Sequence, residues 1–507
     1  MADMSTSEVA EGSQLRQRHH EGRKIEIVGP DGQHRKVAVA DLTQDDSELA
    51  TRFGYNPVFK REFGYLSTFS FAVSISGLFA TVMTTMSYPL LAGGSSAVVW
   101  CWFVSGFGCM CIACSVAELV SAYPTSGGLY FTISRLAPNS WVPSISWVTG
   151  WLNLLGQVAG VASSEYGAAQ MLLAAVSMSR DFNYEITTNT TVGVMAALTV
   201  ITGVVNSLST YWMEKMTKTY VIFHICVLVA CSIALLVMTK DKHDAKYVFT
   251  EVKSESGWTP LGFSWLFGFL SVSWTMTDYD ATAHITEEIN NPELKAPWAI
   301  SSAMLFTYVA GFLFNIVLCF CMGDPDEILV SPMAQPVAQI FYNSLGKGGD
   351  CPLDWNPLYA VWMSVFFCIA INLIGLGSYT AIAGVFTVCA IALDWSYCIP
   401  ILCKLFFGKF QPGPWHMGPF STIVNIWACL WTLFVSVIFV LPTAMPVTAE
   451  GMNYACVYLV AVLLFAMIYW YIRGRAVYTG PVTEAISDDI SESEIVESEK
   501  TAKGPAA

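Results

Sequence analysis

Charged residues are scarce in this chain: Asp, Glu, Lys and Arg make up 13% of its 507 residues, about half the share of a typical soluble domain, which is roughly 25%. Basic residues are the rarer sign, 25 Lys and Arg against 39 Asp and Glu, so a nucleic-acid partner is not suggested. The formal charge of -14 is partly a tail effect, because residues 484–507 hold seven acids (Glu484, Asp488, Asp489, Glu492, Glu494, Glu497, Glu499) against Lys500 and Lys503. The motifs of catalysis are missing too. There is no GxSxG, no HExxH and no phosphate loop, and Gly127-Gly128 is too short to cradle a nucleotide. The expectation is no enzyme, no cofactor and no metal. Fifteen cysteines are present, mostly inside apolar runs where a thiol behaves as a small hydrophobe, and they form neither a disulfide framework nor a metal spacing. Residues 1–62 lack the short apolar core of a cleavable signal, so the first apolar run has to serve for insertion.

What the chain has instead is hydrophobicity, 54% of all residues. Apolar runs of about 20 residues, the length that crosses ~30 Å of hydrocarbon, recur from Leu66 almost to Ile472. They predict an all-α polytopic membrane protein with spans at 65–92, 97–121, 145–176, 192–212, 217–239, 261–289, 297–322, 358–375, 380–403, 419–441 and 453–472. Flanking them are an arm, 1–62, and an acidic tail, 482–507, both expected to be cytoplasmic, solvated and largely disordered, around a transmembrane domain over 63–481.

Lys and Arg in short loops mark the cytoplasmic side. Arg52, Lys60 and Arg61 precede span 1, Arg135 follows span 2, Lys215 and Lys218 follow span 4, and Lys295 follows span 6. The N-terminus is therefore expected inside. "NTT" at 189–191 then falls outside, as a glycosylation acceptor should. Loop 240–258, with four lysines, breaks the rule. Parity also fails after residue 322, because eleven spans leave Lys404, Lys409, Arg473 and Arg475 outside. One crossing is short within 323–357, whose best candidate, "EILVSPMAQPVAQIFYNSL" (327–345), is better suited to a surface or re-entrant helix.

Acids inside spans are costly and are functional candidates by default. Span 6 is the richest: Ser271, Ser273, Thr275 and Thr277 precede Asp278-Tyr279-Asp280. A helix this polar at mid-membrane is either interrupted, freeing backbone groups to bind a substrate, or is the plain cytoplasmic end of an unbroken helix. Span 1 clusters Ser74, Ser76 and Gly77 in "SISGLFAT", a second break or a small-residue packing face. The two signals support one another, because interrupted helices occupy matching places in two halves.

Glu118, ahead of "LVSAYPTSGGLY", reads as a structural hydrogen-bonding or gate residue. Glu165 suits either a cationic group or proton, or a bond within the bundle. Glu287 and Glu288 read as a cap and conformational lock paired with nearby Lys or Arg. His284 is a proton relay or a packed hydrogen-bonder. Asp394 lies near an inner helix end and reads as interfacial. Tryptophans at 100, 102, 141, 147, 151, 415, 427 and 431 suit interfacial belts.

Six stretches together, "FAVSISGLFAT" (71–81), "AELVSAYPTSGGLYF" (117–131), "SGWTPLGFSWLFGFL" (256–270), "TDYDATAHITEEINNPELKAP" (277–297), "ALDWSYCIPI" (392–401) and "RAVYTGP" (475–481), resemble the amino acid, polyamine and organocation transporter superfamily, and within it the fungal permeases for GABA and choline. The resemblance implies a five-plus-five inverted repeat with spans 1 and 6 unwound and two further C-terminal helices. It implies substrate at Ser74, Ser76 and Gly77 of span 1 and at Trp274, Thr275, Thr277, Asp278, Tyr279 and Asp280 of span 6, with Glu165 a further candidate. It also implies alternating access driven by a proton gradient, in the plasma membrane or, second, the vacuolar membrane. Two departures stand out. Where many relatives have glycine before the Tyr-Asp pair this chain has Asp278, which favours a cationic or amine-bearing substrate. The family's twelve spans include an eighth between "QPVAQIFYNSLG" (335–346) and "NPLYAVW" (356–362), where this chain has only "KGGDCPLD". The expected function is a secondary active transporter of an amino acid, GABA or choline. The alternative is a transport-deficient paralogue acting as a sensor or interaction protein.

Overall fold

The computed structural model describes residues 24–28, 34–38, 43–48, 61–180, 182–205, 210–331, 335–345, 379–408, 410–448 and 452–481. The expected span at 358–375 and the tail 482–507 lie outside them. Within the arm, β1 (Lys24–Val28) pairs antiparallel with β2 (His34–Ala38), and α1 (Gln44–Glu48) follows. Everything else is helical. The other ten expected spans all carry helix, and seven of the described helices are long and apolar enough to cross a bilayer. This is an all-α, multi-pass membrane protein.

Span 1 is two helices, α2 (Tyr65–Ser76) and α3 (Leu78–Thr85), separated by Gly77 at φ +47°. Left-handed backbone costs a residue with a Cβ roughly 1–2 kcal/mol but costs glycine nothing, so the break falls where the sequence puts the glycine. Through Met86, which keeps helical backbone, span 1 runs on into the start of α4 (Ser87–Ala122); the chain reverses at Gly93-Gly94, the second at φ +70°, and the rest of α4 is span 2. A short α5 (Gly128–Leu136) leads to span 3, α6 (Val142–Ser179), and then to α7 (Thr188–Val205) and α8 (Thr210–Met238). After a short α9 (Ala245–Thr250), span 6 is again divided. It begins as α10 (Leu261–Trp265), continues through a 3-10 turn into α11 (Phe269–Thr275), and resumes as α12 (Ala281–His284). Asp278, at φ +59°, sits at the turn. Aspartate is among the few residues that tolerate this conformation, which is why it can stand there in place of glycine. The two divided spans run in opposite directions, span 1 leaving the near face, where α2 starts, and span 6 returning to it.

Span 7 is α13 (Pro292–Cys321). Two short helices, α14 (Pro325–Leu329) and α15 (Pro336–Leu345), follow at the far face, where Gln335 bonds Gln170 near the end of α6 and Ser344 bonds Thr239 at the end of α8. The described parts of 327–345 thus form two short helices and not a span, and α15 is buried rather than on the surface, with Val337 and Ile340 inside and Phe341 against Phe79 of α3 (6.1 Å). The lysines of the exceptional loop are employed at this face: Lys242 donates to the Thr239 carbonyl (2.8 Å), and Lys253 pairs with Asp326 of α14 (2.5 Å). The next described helix, α16 (Tyr379–Phe407), ends at the near face beside Glu118, so its first turn is at the far face. Both flanks of 346–378 therefore lie on one face, whereas the sequence between them holds one apolar run of spanning length. The structure keeps the parity conflict. α17 (Ser421–Val440) and α18 (Ala455–Tyr469) complete the bundle.

Packing between spans depends on glycine meeting aromatic rings. A Cβ on Gly311 of α13 would overlap the Trp102 ring, and one on Gly108 would overlap Trp431. Trp102 is 1% exposed and donates to the Tyr308 carbonyl (3.0 Å). Trp102 and Trp431 are thus core residues, correcting the interfacial reading for these two, while Trp100, Trp141 and Trp427 are exposed. Gly311→Ala is expected to lower stability by about 1–3 kcal/mol through overpacking. Thermal unfolding in detergent checks it against Gly193→Ala, where nothing lies within 4 Å of the added methyl; equal melting of the two variants would contradict it.

Candidate functional site

The two breaks face one another beside span 3. Thr85 of α3 and Ser271 of α11 share a hydroxyl hydrogen bond (2.7 Å), tying the two divided spans together. The N–H groups of Leu78, Phe79 and Ala80 open α3 and the carbonyls of Ser273, Trp274 and Thr275 close α11, the positions a helix end leaves without a partner inside its own helix. One pole of the site is rich in donors and the other in acceptors. The span 1 hydroxyls are already engaged: Ser74 donates to the Ser70 carbonyl (2.7 Å), and Ser76 donates to the Val73 carbonyl (2.9 Å) and meets Thr307 of span 7 (3.0 Å). What span 1 offers is therefore backbone.

Span 3 lines the site with a small and polar stripe, Asn153, Gln157, Gly160 and Ser163, at helical spacing. Trp274 Nε1 donates to Ser163 Oγ (3.0 Å), with its ring against Phe386 (4.9 Å). Gly160 leaves the space beside the Asp278 carboxylate open, since a Cβ there would lie 4.0 Å from Oδ2 and 3.3 Å from Cys389. Thr277 Oγ1 and Asp278 Oδ1 are buried with no hydrogen-bond partner among the described residues. Buried polar atoms without partners are uncommon, and here they lie in the turn between two half-helices. Thr275 is different, since its hydroxyl donates back to the Ser271 carbonyl (2.8 Å).

Asp280, two residues on, is fully engaged. It accepts from Asn153 (2.7 Å), Gln157 (3.5 Å) and Tyr397 of α16 (2.8 Å), with His284 Nε2 at 3.2 Å. It is a hub that fixes α12 against span 3 and α16. His284 Nδ1 lies 3.0 Å from the Ser126 carbonyl, so both ring nitrogens have partners while the side chain, 39% exposed, borders the near-face cavity. A cavity of about 430 Å³ reaches this layer from the near face, bounded by Trp151, Asn153, Gln157, Asp280, His284 and Tyr478. At the far face the cavity beside Gly94 and Lys253 is smaller, about 180 Å³.

The remaining acids are scattered. Glu165 faces span 4, accepting from Thr202 (2.8 Å), on the side of α6 away from the stripe. Glu118 is a buried ion pair with Lys404 (2.5 Å), and Ser421 adds a second donor (2.7 Å). Glu287 accepts from the Ser126 amide (3.1 Å) and hydroxyl. Arg61 bonds the Ile289 carbonyl (2.7 Å), and the Phe63 amide donates to the Glu288 carbonyl (3.0 Å). A lock at the near face exists, but among the described residues it joins Glu287 to serine and Arg61 to backbone and to Asp46 (2.7 Å), not Glu287 or Glu288 to Lys or Arg as expected. Asp394 is 2% exposed in the middle of α16, which overturns its interfacial reading. Lys404, Tyr397, Asn153 and Gln157 were not anticipated. The spacing of the span 3 stripe was a usable signal for two of them, while Lys404 had been counted as a loop charge.

Divided, antiparallel spans whose free backbone ends converge on a buried pocket define a membrane transporter, and no catalytic constellation accompanies them. The amino acid permease family model matches residues 63–349 and 355–462, and the chain belongs to that family. It is 53% identical to an uncharacterized amino-acid permease of Schizosaccharomyces pombe (87% of this chain, 90% of the relative). It is 46% identical to amino-acid permease 2 of Neurospora crassa (87% and 90%) and 28% identical to amino-acid permease BAT1 of Arabidopsis thaliana (86% and 96%). A solved manganese transporter from Eremococcus coleocola superposes with a TM-score of 0.47 at 11% identity, over 86% of this chain and 99% of that one. The S. pombe alignment runs over 489 positions but takes in 87% of 507 residues, about 441, so about 48 positions in total face gaps in this chain.

Proposed function

We propose that the protein is a secondary active transporter that carries an amino acid or a related amine such as GABA or choline by alternating access, coupled to protons. The observation that carries this reading is the pairing of the two breaks: the amides at 78–80 that open one half-helix suit a carboxylate, while the carbonyls of 273–275 that close the other, with Thr277 and Asp278, suit an ammonium group. The names of the relatives, amino-acid permeases, support the substrate class. Trp274 and Tyr279 supply the apolar walls. The Lys and Arg count places the near face, with the larger cavity, in the cytoplasm. The plasma membrane is the first expected location, the vacuolar membrane the second.

Uptake of labelled choline, GABA and neutral amino acids into cells lacking their own permeases tests this. Saturable uptake that rises with an inward proton gradient is expected, and no uptake of any of them would refute the transporter reading.

The gaps facing about 48 alignment positions favour a second reading, a transport-deficient paralogue acting as a sensor. A missing eighth span would remove part of the scaffold. Transcript sequence across the codons for 346–357 discriminates: an omitted helix restores the transporter reading, and continuous coding as given supports the sensor.

A further inference from the structure

The acids of the membrane core differ in what stands against them. Asp280 has four polar partners, Glu118 has Lys404 and Ser421, and Glu165 has Thr202. Asp278 belongs to the substrate segment. Asp394 is left over. It lies midway along the 29 residues of α16, 2% exposed, and its Oδ2 has no hydrogen-bond partner among the described residues. We propose that Asp394 is the proton-carrying site of this transporter, loaded with a proton in the conformation seen and unloaded when the span 6 break moves.

The surroundings explain why. From span 2, α4 sets the Cys109 thiol near the carboxyl group; from the span 6 break comes Tyr279; α16 itself adds Cys389 and Cys398. Span 3 contributes Gly156, packed on the neighbouring Leu393, and α17 contributes Cys429 beside Cys398 and Ser436 bonded to Trp395. No Lys, Arg or His among the described residues faces it. The nearest cation along its own helix, Lys404, is held by Glu118. Among the described residues, an ionised carboxylate in such a place has no counter-charge, and its Oδ2 has no donor, so its desolvation is not offset. The group therefore holds its proton here.

Tyr279 makes the site responsive. Its hydroxyl has no oxygen or nitrogen partner, and its ring stands 5.3 Å from the Tyr397 ring. Because Tyr279 is in the turn between α11 and α12, any rocking of α12 changes the polar neighbour of Asp394 and the path to it. Tyr397, three residues along α16 and on the same face, donates to Asp280, which borders the near-face cavity. The proton enters Asp394 from far-face water and leaves as a proton to near-face cavity water, with Asp394 returning to its carboxylate in between.

This rests on the proton-coupled reading above, and the test separates the two. Wild type, Asp394→Asn and Asp394→Glu are purified into lipid vesicles and loaded with the choline, GABA or amino acid that wild type takes up. The expectation for Asp394→Asn is retained counterflow exchange with accumulation driven by a pH gradient reduced more than about tenfold, and partial recovery in Asp394→Glu. If wild type itself ignores the gradient, proton coupling fails and this inference with it. If wild type responds and Asp394→Asn responds equally, proton coupling stands and the assignment to Asp394 is wrong. Infrared difference spectra on a pH jump give a reading free of transport: the carbonyl stretch of a protonated carboxylic acid is expected in wild type and absent in Asp394→Asn, and its persistence would overturn the assignment.

Discussion

Asp278→Asn is expected to raise the KM for an amine-bearing substrate by about 10- to 100-fold, the equivalent of ~1.5–3 kcal/mol for losing a charged hydrogen-bond partner. The substitution isolates charge. Asparagine accepts the left-handed backbone at φ +59° as readily as aspartate, so the turn between α11 and α12 is kept, whereas alanine would add strain to the loss of the carboxylate. The unpartnered Oδ1 and the opening left by Gly160 place the acid where an ammonium group can reach it. Initial uptake rates of the cationic substrate and of a neutral analogue of the same shape provide the measurement. If affinity and charge preference were both unchanged, Asp278 would not be the cation partner.

Glu118→Ala is expected to cost about 3–5 kcal/mol of stability, because it strands the Lys404 ammonium in a buried place. Lys404→Met alone does the same to the carboxylate. The pair lies at 2% and 7% side-chain exposure, with Ser421 bridging both groups. It clamps the near-face end of span 2 to that of α16. The double variant Glu118→Gln with Lys404→Met leaves no buried charge and is expected to recover most of the loss. Melting curves of the purified variants in detergent check this, and a single variant as stable as the double one would show that the pair is not clamping the two spans.

The break positions were legible for a simple reason. A bilayer offers no water to unbonded backbone, so a helix that opens at mid-membrane has to carry the residues that permit it. Gly77 and the run from Thr277 to Asp280 are those residues. The pairings were not legible to the same degree. Ser76 reads as a ligand until Thr307 of span 7 is seen beside it, and Asp280 reads like Asp278 until Asn153, Gln157 and Tyr397 converge on it. Glu165 was chosen for its charge, and it is the phase of α6 that turns it towards Thr202. In each case the deciding partner is on another helix.

The sequence by itself determined that this chain is a multi-pass helical membrane protein and marked spans 1 and 6 as the places where a helix could open, because hydrophobic length, glycine placement and polar clusters act through local backbone energetics. Only the tertiary structure decided which acids are free. Lys404 meets Glu118 across 286 residues of chain, and Asp394 lies in the core without a counter-charge among the described residues. Whether a buried carboxylate is a clamp, a hub, a ligand or a proton carrier depends on the neighbours that packing brings to it, and those are far away in sequence.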